Sequence, residues 1–503
     1  MVNLEVDLTR KGLPGFTMVG LAEGSVREAK ERVFSALKNC GYKLPPARIT
    51  VNLAPADRRK QGAAFDLPLA LGLLAASGNI EPTQLAGVFA CGELSLAGEL
   101  KPVPGVLSMA ILAKKLNAES IIVPWNNAGE AAAISGLRVF AAKDLNQAVG
   151  ALSGNLAEYL PPAEWDAAVP VGYPFDFSEV KGQEHAKRAI EIAAAGGHNI
   201  LFAGPPGSGK SMLAQRIPGV LPDLLFEEAL EVSKIYSIAA ESGEFQGISR
   251  TVDGQVSGLI RTRPFRSPHH TISYAGLAGV GGIPKPGEIS LAHCGVLFLD
   301  ELPEFPRAVL EVLRQPLESG EINISRAGNS LSYPARFMLV AAMNPCPCGY
   351  LTDETHTCTC TPKQVQAYRA RLSGPLLDRI DLHVEVPAVA YKDLRSSTPG
   401  VSSAEMRARI QAVRDIQTKR YEHCRATTNS ELSGKLLEEF APLGRAEHDF
   451  LETAASRLGL SARSCTRIVR IARTIADLEQ QADIHTQHIA EAINCRFLDR
   501  VTG

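Results

Sequence analysis

The residues Gly204-Pro-Pro-Gly-Ser-Gly-Lys210-Ser211 decide how the middle of this 503-residue chain folds. The apolar run Asn199-Ile-Leu-Phe-Ala203 before them is typical of a buried strand, and the stretch from Met212 to Ile217 after them has a helical pattern. A strand, a glycine-rich loop and a helix in this order form the Walker A motif, in which backbone N–H groups surround nucleotide phosphates. The sequence therefore predicts an ATP site formed by Gly204, Gly207, Ser208, Gly209, Lys210 and Ser211. We expect Lys210 to contact the β- and γ-phosphates and the Ser211 hydroxyl to bind Mg²⁺.

A second motif, Val296-Leu-Phe-Leu-Asp300-Glu301, has the pattern of a Walker B element. Its four apolar residues fit a strand that is buried in a parallel sheet. We expect Asp300 at the end of this strand to hold Mg²⁺ together with Ser211, and Glu301 to polarise the attacking water. The alternative is an acidic strand end that caps a helix, which is the less favoured interpretation in a chain that also carries Walker A.

Two further polar residues follow apolar runs. Asn344 comes after the run that begins at Phe337 and can orient the hydrolytic water, although it can also simply start a turn before Pro345. Arg379 can reach the γ-phosphate bound by a neighbouring subunit, as arginine fingers do. It can equally pair with Asp378 or Asp381 on the surface, and the spacing does not decide between these roles.

Four of the ten cysteines fall close together, at Cys346, Cys348, Cys358 and Cys360. Two C-x-C pairs can present four thiolates to a tetrahedral Zn²⁺ ion, so we predict a structural zinc site. The spacing is tighter than the usual C-x₂₋₄-C, and four reduced thiols are the alternative. His356 is a possible substitute ligand.

The pattern of the sequence divides the chain into four parts. Residues 1–157 alternate strand-like and helix-like runs, which is typical of a compact α/β domain. Residues 158–174 are rich in proline, which indicates an extended linker. Residues 175–395 alternate again and hold the nucleotide motifs, whereas residues 396–503 are helical, with one continuous helical stretch expected from Leu432 to Leu458.

The composition excludes several classes of protein. Hydrophobic residues make up 45% of the chain and charged residues 21%, which excludes a fibrous or wholly disordered protein. No apolar run reaches the roughly 18 residues of a membrane span, and the first residues lack the basic and apolar segments of a signal peptide. We therefore expect a cytoplasmic protein without membrane segments.

Any binding to nucleic acid must come from local basic groups, because the net charge is only −2. One candidate is Arg326 in a predicted hairpin turn, Arg326-Ala-Gly-Asn329. Another is the helical stripe of Arg463, Arg467 and Arg470, in which Arg463 can bind ATP and the other two can contact DNA phosphates. A solvated or interface face is the alternative.

Taken together, these residues resemble the magnesium-chelatase-like branch of the AAA+ ATPases and, within it, the ComM/YifB group of bacterial proteins that handle DNA in natural transformation. The resemblance covers essentially the whole chain. It is carried by Gly12-Leu-Pro-Gly-Phe-Thr-Met-Val-Gly-Leu21, Arg48-Ile-Thr-Val-Asn-Leu-Ala-Pro-Ala-Asp57, Phe265-Arg-Ser-Pro-His-His-Thr-Ile-Ser273, Pro284-Lys-Pro-Gly-Glu-Ile-Ser-Leu-Ala-His293 and Leu372-Ser-Gly-Pro-Leu-Leu-Asp-Arg-Ile-Asp381.

The resemblance implies an α/β protein with three parts: a Lon-protease-like N-terminal domain, an AAA+ P-loop core with a parallel sheet, and a C-terminal α-helical lid. It also implies a ring, expected to be a hexamer, with ATP at the subunit interfaces. In that arrangement Asn344 is sensor 1, Arg379 is the arginine finger and Arg463 is sensor 2 of the lid.

The N-terminal domain is expected to lack protease activity. Active Lon-type domains use a Ser–Lys dyad, but here the stretch that should carry the serine reads Gly62-Ala-Ala-Phe65-Asp66, and Leu107 stands at the place of the lysine. Because the serine and the lysine are both missing, no activated nucleophile remains. We therefore expect a binding or assembly module.

The expected function is ATP hydrolysis that drives translocation on forked or branched DNA, as in a branch-migration helicase. The alternative is the motor subunit of a magnesium chelatase, which inserts magnesium into a porphyrin. The N-terminal domain and the cysteine cluster argue against that alternative.

Overall fold

The computed structural model describes residues 1–10, 13–20, 24–56, 60, 62–160, 172–239, 258–279, 285–326, 329–353, 356–389 and 400–500. The chain divides into two compact units. The first unit is Met1–Val169 with Leu225–Arg261, and the second is Pro170–Leu224 with Thr262–Gly503. Most of the predicted linker, residues 161–171, lies outside the described part of the chain.

The first unit contains two three-stranded sheets and a small hairpin. Its strands are β1 (Asn3–Thr9), β2 (Gly15–Val19), β3 (Arg48–Ala54), β4 (Val88–Ala90), β5 (Glu93–Leu94), β6 (Leu100–Lys101), β7 (Ser120–Pro124) and β8 (Arg138–Ala142). One sheet has the order β1-β3-β2, in which β1 is antiparallel and β2 parallel to β3. The other has the order β4-β7-β8 and is parallel, while β5 and β6 pair with each other.

The helices of the first unit pack against these sheets. They span Gly24–Asn39, Asp66–Ser77, Val106–Lys115, Ala128–Ala132, Leu145–Leu152 and Phe226–Ala239. The helix Asp66–Ser77 is apolar on nearly all sides, and its leucines are buried in the core, as expected for a helix without a solvent face.

The last of these helices comes from a distant part of the sequence. Residues 225–261 fall within the range 175–395 that the sequence pattern assigned to the nucleotide-binding part, yet they fold with the first unit. The helix Phe226–Ala239 buries Val232 and Ile235, and the carbonyl of Ser237 accepts a hydrogen bond from Gly105 N at 3.0 Å. Leu259 joins the apolar cluster that contains Leu107. These contacts explain why the segment belongs to the first unit.

The second unit is organised around a five-stranded parallel sheet. Its strands are β9 (Ile200–Ala203), β10 (Phe265–Arg266), β11 (Val296–Leu299), β14 (Met338–Met343) and β15 (Leu382–Glu385), in the order β10-β11-β14-β9-β15. Ile200 and Phe202 enter one apolar cluster, whereas Leu201 and Ala203 enter the other. Because successive residues of a strand face opposite sides, the sheet is buried on both faces.

A hairpin of β12 (Glu321–Arg326) and β13 (Asn329–Pro334) precedes β14. It corresponds to the predicted hairpin, but Ala327 and Gly328 at its turn and the side chain of Arg326 lie outside the described residues. The proposed phosphate contact of Arg326 therefore stays a prediction.

The helices of the second unit form the layers beside the sheet and the helical C-terminal part. They span Glu184–Gly196, Lys210–Arg216, Tyr274–Ala278, Glu288–Leu291, Arg307–Glu311, Pro316–Ser319, Pro362–Arg369, Gly374–Leu377, Ser403–Arg420, Lys435–Phe440, Arg445–Leu458, Ala462–Leu478 and Thr486–Asn494. One sequence expectation was wrong: the helical stretch expected from Leu432 to Leu458 is two helices, because Pro442 and Gly444 interrupt it.

The predicted fold class is confirmed: the chain is mixed α/β with a parallel sheet and a helical C-terminal part. Among the described residues, none of the helices combines the length and the apolar character that a membrane crossing requires.

Candidate nucleotide-binding site

The Walker A loop connects β9 to the helix that begins at Lys210. Gly209 has a φ of 91°, in the left-handed region that glycine adopts without strain. Gly204 lies so close to the carbonyl oxygen of Val386 that a side chain at this position would clash with the backbone. Glycine is therefore required at both ends of the loop.

Lys210 lies inside this loop and is 8% exposed. Its Nζ donates to the carbonyl oxygens of Gly204 at 2.8 Å and Pro205 at 2.9 Å, and lies 3.3 Å from Asn344 Oδ1. Burial lowers the pKa of Lys210, while the nearby carboxylate of Asp300 acts in the opposite direction. Phosphate oxygens would take the place of the two carbonyl oxygens when a nucleotide binds.

Ser211 and Asp300 meet across the end of the sheet. The Ser211 hydroxyl donates to Asp300 Oδ2 at 2.6 Å, and the backbone N–H of Glu301 donates to Asp300 Oδ1 at 2.9 Å. A hydroxyl oxygen and a carboxylate oxygen this close together are the ligand types that Mg²⁺ takes beside substrate phosphates. The donor set therefore fits the expected ion.

Glu301 differs from Asp300 in being largely accessible. Its backbone has a φ of 52°, in the left-handed region, and its side chain is 56% exposed. His270 Nδ1 lies 3.1 Å from Glu301 Oε2, and the His270 ring packs edge-on against Phe305. His270 lies in the stretch Phe265–Ser273 that carries the family resemblance, but no motif predicted a role for this residue.

Asn344 follows β14 and contacts the Walker A lysine, as described above. Tyr368, a buried residue of the helix Pro362–Arg369, lies near enough to Asn344 for the backbone N–H of Asn344 to act on the pKa of its hydroxyl. Burial is the main reason why the pKa of Tyr368 rises to about 12, so the hydroxyl keeps its proton at neutral pH. Tyr368 is a second residue near the site that the sequence analysis did not identify.

The four predicted cysteine ligands form one cluster. The Sγ atoms lie 3.3 Å apart for Cys346 and Cys348, 3.7 Å for Cys346 and Cys358, and 3.5 Å for Cys348 and Cys358. All four sulfurs, including that of Cys360, lie within 4.8 Å of one another. Four Zn–S bonds of about 2.3 Å in a tetrahedron place the sulfurs roughly 3.8 Å apart, so the cluster has the size of a zinc site.

The chemical state of one sulfur also suits a metal. Backbone hydrogen bonds from Tyr350 and Thr359 lower the pKa of Cys348 to about 5. This shift favours the thiolate, which is the form in which cysteine binds metal ions.

Comparison with known proteins agrees with this geometry. Residues 176–394 match the family described as magnesium chelatase, subunit ChlI. Residues 4–127 match the family described as subunit ChlI of Mg-chelatase, and residues 400–496 match its C-terminal family. The chain belongs to the magnesium-chelatase ChlI-like family of AAA+ ATPases.

Full-length relatives of this ChlI-like protein include those predicted from its sequence. It is 46% identical to Competence protein ComM of Haemophilus influenzae over 507 residues, which cover 100% of this chain and 95% of the relative. It is also 46% identical to the protein YifB of Escherichia coli, over 99% of this chain and 95% of the relative. Magnesium-chelatase subunit ChlI of Nephroselmis olivacea is 24% identical and matches 63% of this chain.

Arg379, predicted as the arginine finger, and Arg463, predicted as sensor 2, both contact residues outside the Walker A loop. Arg379 pairs with Glu318 rather than with Asp378 or Asp381, and it also donates to the carbonyl of Pro375. Arg463 has a side chain that is 73% exposed and lies 3.0 Å from Asp378 Oδ2. Arg463 thus contacts Asp378, the residue directly before Arg379.

The predicted basic stripe on the helix Ala462–Leu478 does not act as one surface. Arg467 is largely buried and lies 3.9 Å from Asp381. Arg470 has a buried Nε atom, and burial lowers its pKa. Of the three arginines, only Arg463 is exposed enough to reach a partner without rearrangement.

Proposed function

We propose that this protein hydrolyses ATP with the residues of the site described above. The observation that carries the proposal is that Asp300 and Asn344, which lie 89 and 134 residues from their partners in sequence, are hydrogen-bonded to Ser211 and Lys210 at one end of the parallel sheet. Lys210 binds the β- and γ-phosphates, while Ser211 and Asp300 hold Mg²⁺, which neutralises phosphate charge. Asn344 orients the water beside the γ-phosphate.

Glu301 activates the attacking water, and His270 orients the carboxylate of Glu301. An exposed carboxylate on a left-handed backbone has few partners that fix its direction, so the contact with His270 Nδ1 decides where the carboxylate points. The edge-on packing with Phe305 in turn fixes the imidazole ring.

We further propose that the active form is a ring, a hexamer, in which Arg379 acts on the ATP of the neighbouring subunit and Arg463 binds ATP as sensor 2 of the lid. In support of this, their hydrogen bonds within the described chain go to Glu318, Pro375 and Asp378 and not to the Walker A loop. A cation that is held beside an exchangeable acidic partner can move to a phosphate when a second subunit supplies one.

The division into a Lon-like part (1–157), a linker (158–174), an ATPase core (175–395) and a lid (396–503) remains our proposal for the functional parts. Leu107, at the place of the catalytic lysine of Lon-type domains, is fully buried, which supports a non-proteolytic first part. The cluster of Cys346, Cys348, Cys358 and Cys360 is proposed to hold structural zinc, and we expect the protein to work in the cytoplasm.

We propose DNA, forked or branched, as the substrate on which the ring moves. The support is the full-length similarity to a relative named as a competence protein, since competence concerns DNA uptake. The second candidate is magnesium insertion into a porphyrin, favoured by the names of the matched families. It is the weaker candidate because the chelatase relative covers 63% of the chain at 24% identity, against the whole chain at 46% for ComM.

The test compares ATP turnover with and without four-way-junction DNA in three proteins. Wild type should be stimulated by the junction. Glu301→Gln should still bind ATP but turn over at least about a hundredfold more slowly, because the general base is lost. Glu304 lies three positions after Glu301, is exposed and pairs with Arg371. Glu304→Gln is therefore the matched control and should behave as wild type.

The outcomes separate the two levels of the proposal. Turnover that is unaffected in Glu301→Gln would contradict the assigned catalytic residue. Hydrolysis that is abolished by this substitution but indifferent to DNA would exclude DNA as the substrate and direct the work to porphyrin.

A separate variant tests the positioning role. His270→Ala should lower turnover roughly tenfold without changing ATP affinity, because misorientation of a catalytic group affects the chemical step. His270→Asn, which keeps a side-chain nitrogen donor, should recover part of the rate. Equal rates for wild type and His270→Ala would refute the role of His270.

A further inference from the structure

The cysteine cluster begins where the nucleotide site ends. The carbonyl of Met343, the last residue of β14, accepts a hydrogen bond from Gly204 N of the Walker A loop at 3.3 Å. Asn344 comes next and contacts Lys210, and Cys346, which is fully buried, follows two residues later. The first sulfur of the cluster is therefore only a few bonds away from residues that touch the Walker A loop.

A tight turn then brings the chain onto that loop. Gly349 N donates to the carbonyl of Cys346 at 3.0 Å, which closes the turn around Cys348. Gly349 has a φ of 90°, and a Cβ atom at this position would lie 2.7 Å from Cδ of Pro206 in the Walker A loop. Only glycine fits both the backbone conformation and the space, so the turn lies directly against the phosphate-binding loop.

The other half of the cluster belongs to a helix that also reaches the site. Cys358 and Cys360 precede the helix Pro362–Arg369, and Cys348 N donates to the sulfur of Cys360 at 3.4 Å. Near the far end of the same helix, the Tyr368 hydroxyl lies close enough to Asn344 for the backbone N–H of Asn344 to lower its pKa. The sulfurs thus join the turn at Pro206 to a helix that supports Asn344.

We propose that a zinc ion bound by the four thiolates clamps the Walker A loop, so that the affinity for ATP depends on the metal. This inference rests on the ATPase function proposed above. Thiols form only weak hydrogen bonds. In the described part of this loop the Tyr350 ring packs against His356, and a bound ion would add stronger bonds between the turn of Cys346 to Gly349 and the segment of Cys358 and Cys360. Metal–thiolate bonds fix both segments, and the free energy of metal binding becomes free energy of local folding.

The first test removes ligands one at a time. Cys348→Ser and Cys360→Ser are compared with Cys424→Ser, a half-buried cysteine outside the cluster. Bound zinc is measured by mass spectrometry of the metal content, and the Kd of a fluorescent ATP analogue by titration. The cluster variants should lose zinc and bind the analogue about tenfold more weakly, whereas Cys424→Ser should keep both properties.

A second variant separates the clamp from the metal. Gly349→Ala keeps all four thiolates but places a methyl group against Pro206. It should retain zinc and still bind the ATP analogue several-fold more weakly. Thermal unfolding of each variant checks that the second unit remains folded, and Gly374→Ala, whose surroundings are open, is the control for a glycine substitution.

The results distinguish this inference from the proposed function. Cysteine variants that lack zinc but bind the analogue as wild type does would overturn the clamp, and so would a Gly349→Ala protein with unchanged affinity. Wild type that binds ATP without zinc would also overturn the clamp and leave the ATPase in place. Wild type that contains zinc and binds no ATP would overturn the proposed function and the clamp with it.

Discussion

Two buried carboxylates, Glu130 in the first unit and Asp381 in the second, are held in different ways. Glu130 is 1% exposed and accepts hydrogen bonds from three neutral donors: Ser237 Oγ at 2.8 Å, Asn127 Nδ2 at 3.1 Å and Leu107 N at 3.3 Å. Burial raises its pKa, and these hydrogen bonds only partly offset the rise.

Asp381 is also buried, but cationic and imidazole groups surround it. His198 Nδ1 lies 3.7 Å from one carboxylate oxygen, and Arg467 lies 3.9 Å from the other. Burial alone would raise the pKa of Asp381, yet His198, Arg467 and Arg470 lower it to about 2. Asp381 therefore keeps its charge at lower pH than an ordinary aspartate does.

Asp66 of the first unit shows how many cations are needed. It is fully buried and receives two hydrogen bonds from the guanidinium group of Arg32, but burial still raises its pKa. One arginine does not overcome the cost of burying a charge, whereas the group around Asp381 does. The hydrogen bonds to Glu130 favour its ionised form, but less than burial disfavours it.

The largest loss of stability is expected when Asp381, the charged carboxylate, is removed. Asp381→Ala should lower the free energy of unfolding of the second unit by about 4 kcal/mol, because it leaves Arg467 and Arg470 without their buried counter-charge. Calorimetry of the full chain measures this change. Asp415→Ala, at an exposed aspartate, should cost less than about 0.5 kcal/mol, and equal values for the two variants would contradict the role of Asp381.

The neutral cluster should be somewhat less sensitive. Glu130→Ala should destabilise the first unit by about 3 kcal/mol, because the donors of Ser237 and Asn127 lose their acceptor inside the protein. Fluorescence of Trp125 during urea unfolding, in a Trp165→Phe background, reports on this unit alone. The exposed Glu119→Ala is the control, and a loss no greater than in the control would contradict the burial argument.

The two carboxylates should respond to pH in opposite directions. The pKa of Asp381 is depressed, so its contribution, roughly 2 kcal/mol, is present above pH 4 and disappears as the pH falls towards 2. The pKa of Glu130 is raised, so its contribution is present below its usual value and disappears as the pH rises through the folded value.

The free energy of unfolding of each unit, measured across this pH range, gives its dependence on pH. Asp381→Asn and Glu130→Gln should each flatten the pH dependence of their own unit. Slopes that remain the same in both variants would show that other groups control the acid response.

The smallest effect concerns a single hydrogen bond. Ser237→Ala should cost the first unit about 1 kcal/mol and raise the pKa of Glu130 further, since the Ser237 hydroxyl stabilises the carboxylate. Ser153→Ala removes an exposed hydroxyl and serves as the control. An unchanged titration of Glu130 in Ser237→Ala would mean that this hydrogen bond does not influence the carboxylate.

The sequence predicted the parts of the fold that depend on local pattern. The run before the Walker A loop and the run before Asp300 are strands within a residue of their expected limits, because apolar side chains in a row leave few alternatives in a parallel sheet. The break between Phe440 and Arg445 was missed, although Pro442 and Gly444 are visible in the sequence.

Other features depend on contacts between distant residues, which periodicity does not reveal. Nothing in residues 225–261 indicates that their apolar positions pack with the first unit rather than with the sheet that follows. His270 is an intermediate case. Phe265 is the register partner of Val296, so the segment after β10 runs towards the end of β11, but the pairing ends at Arg266 and does not by itself indicate the contact of His270 with Glu301.

The origin of the helix Phe226–Ala239 also affects how the protein is made. Translation delivers residues 1–169 first, but the Ser237 hydroxyl that bonds Glu130 and the Leu259 side chain that completes the apolar cluster leave the ribosome only after a further stretch of chain. At about 5–20 residues per second this delay is roughly ten seconds. During that interval the nascent first unit exposes the apolar surface that Leu259 later covers. A chaperone that binds this surface would protect the first unit until the helix Phe226–Ala239 has been synthesised.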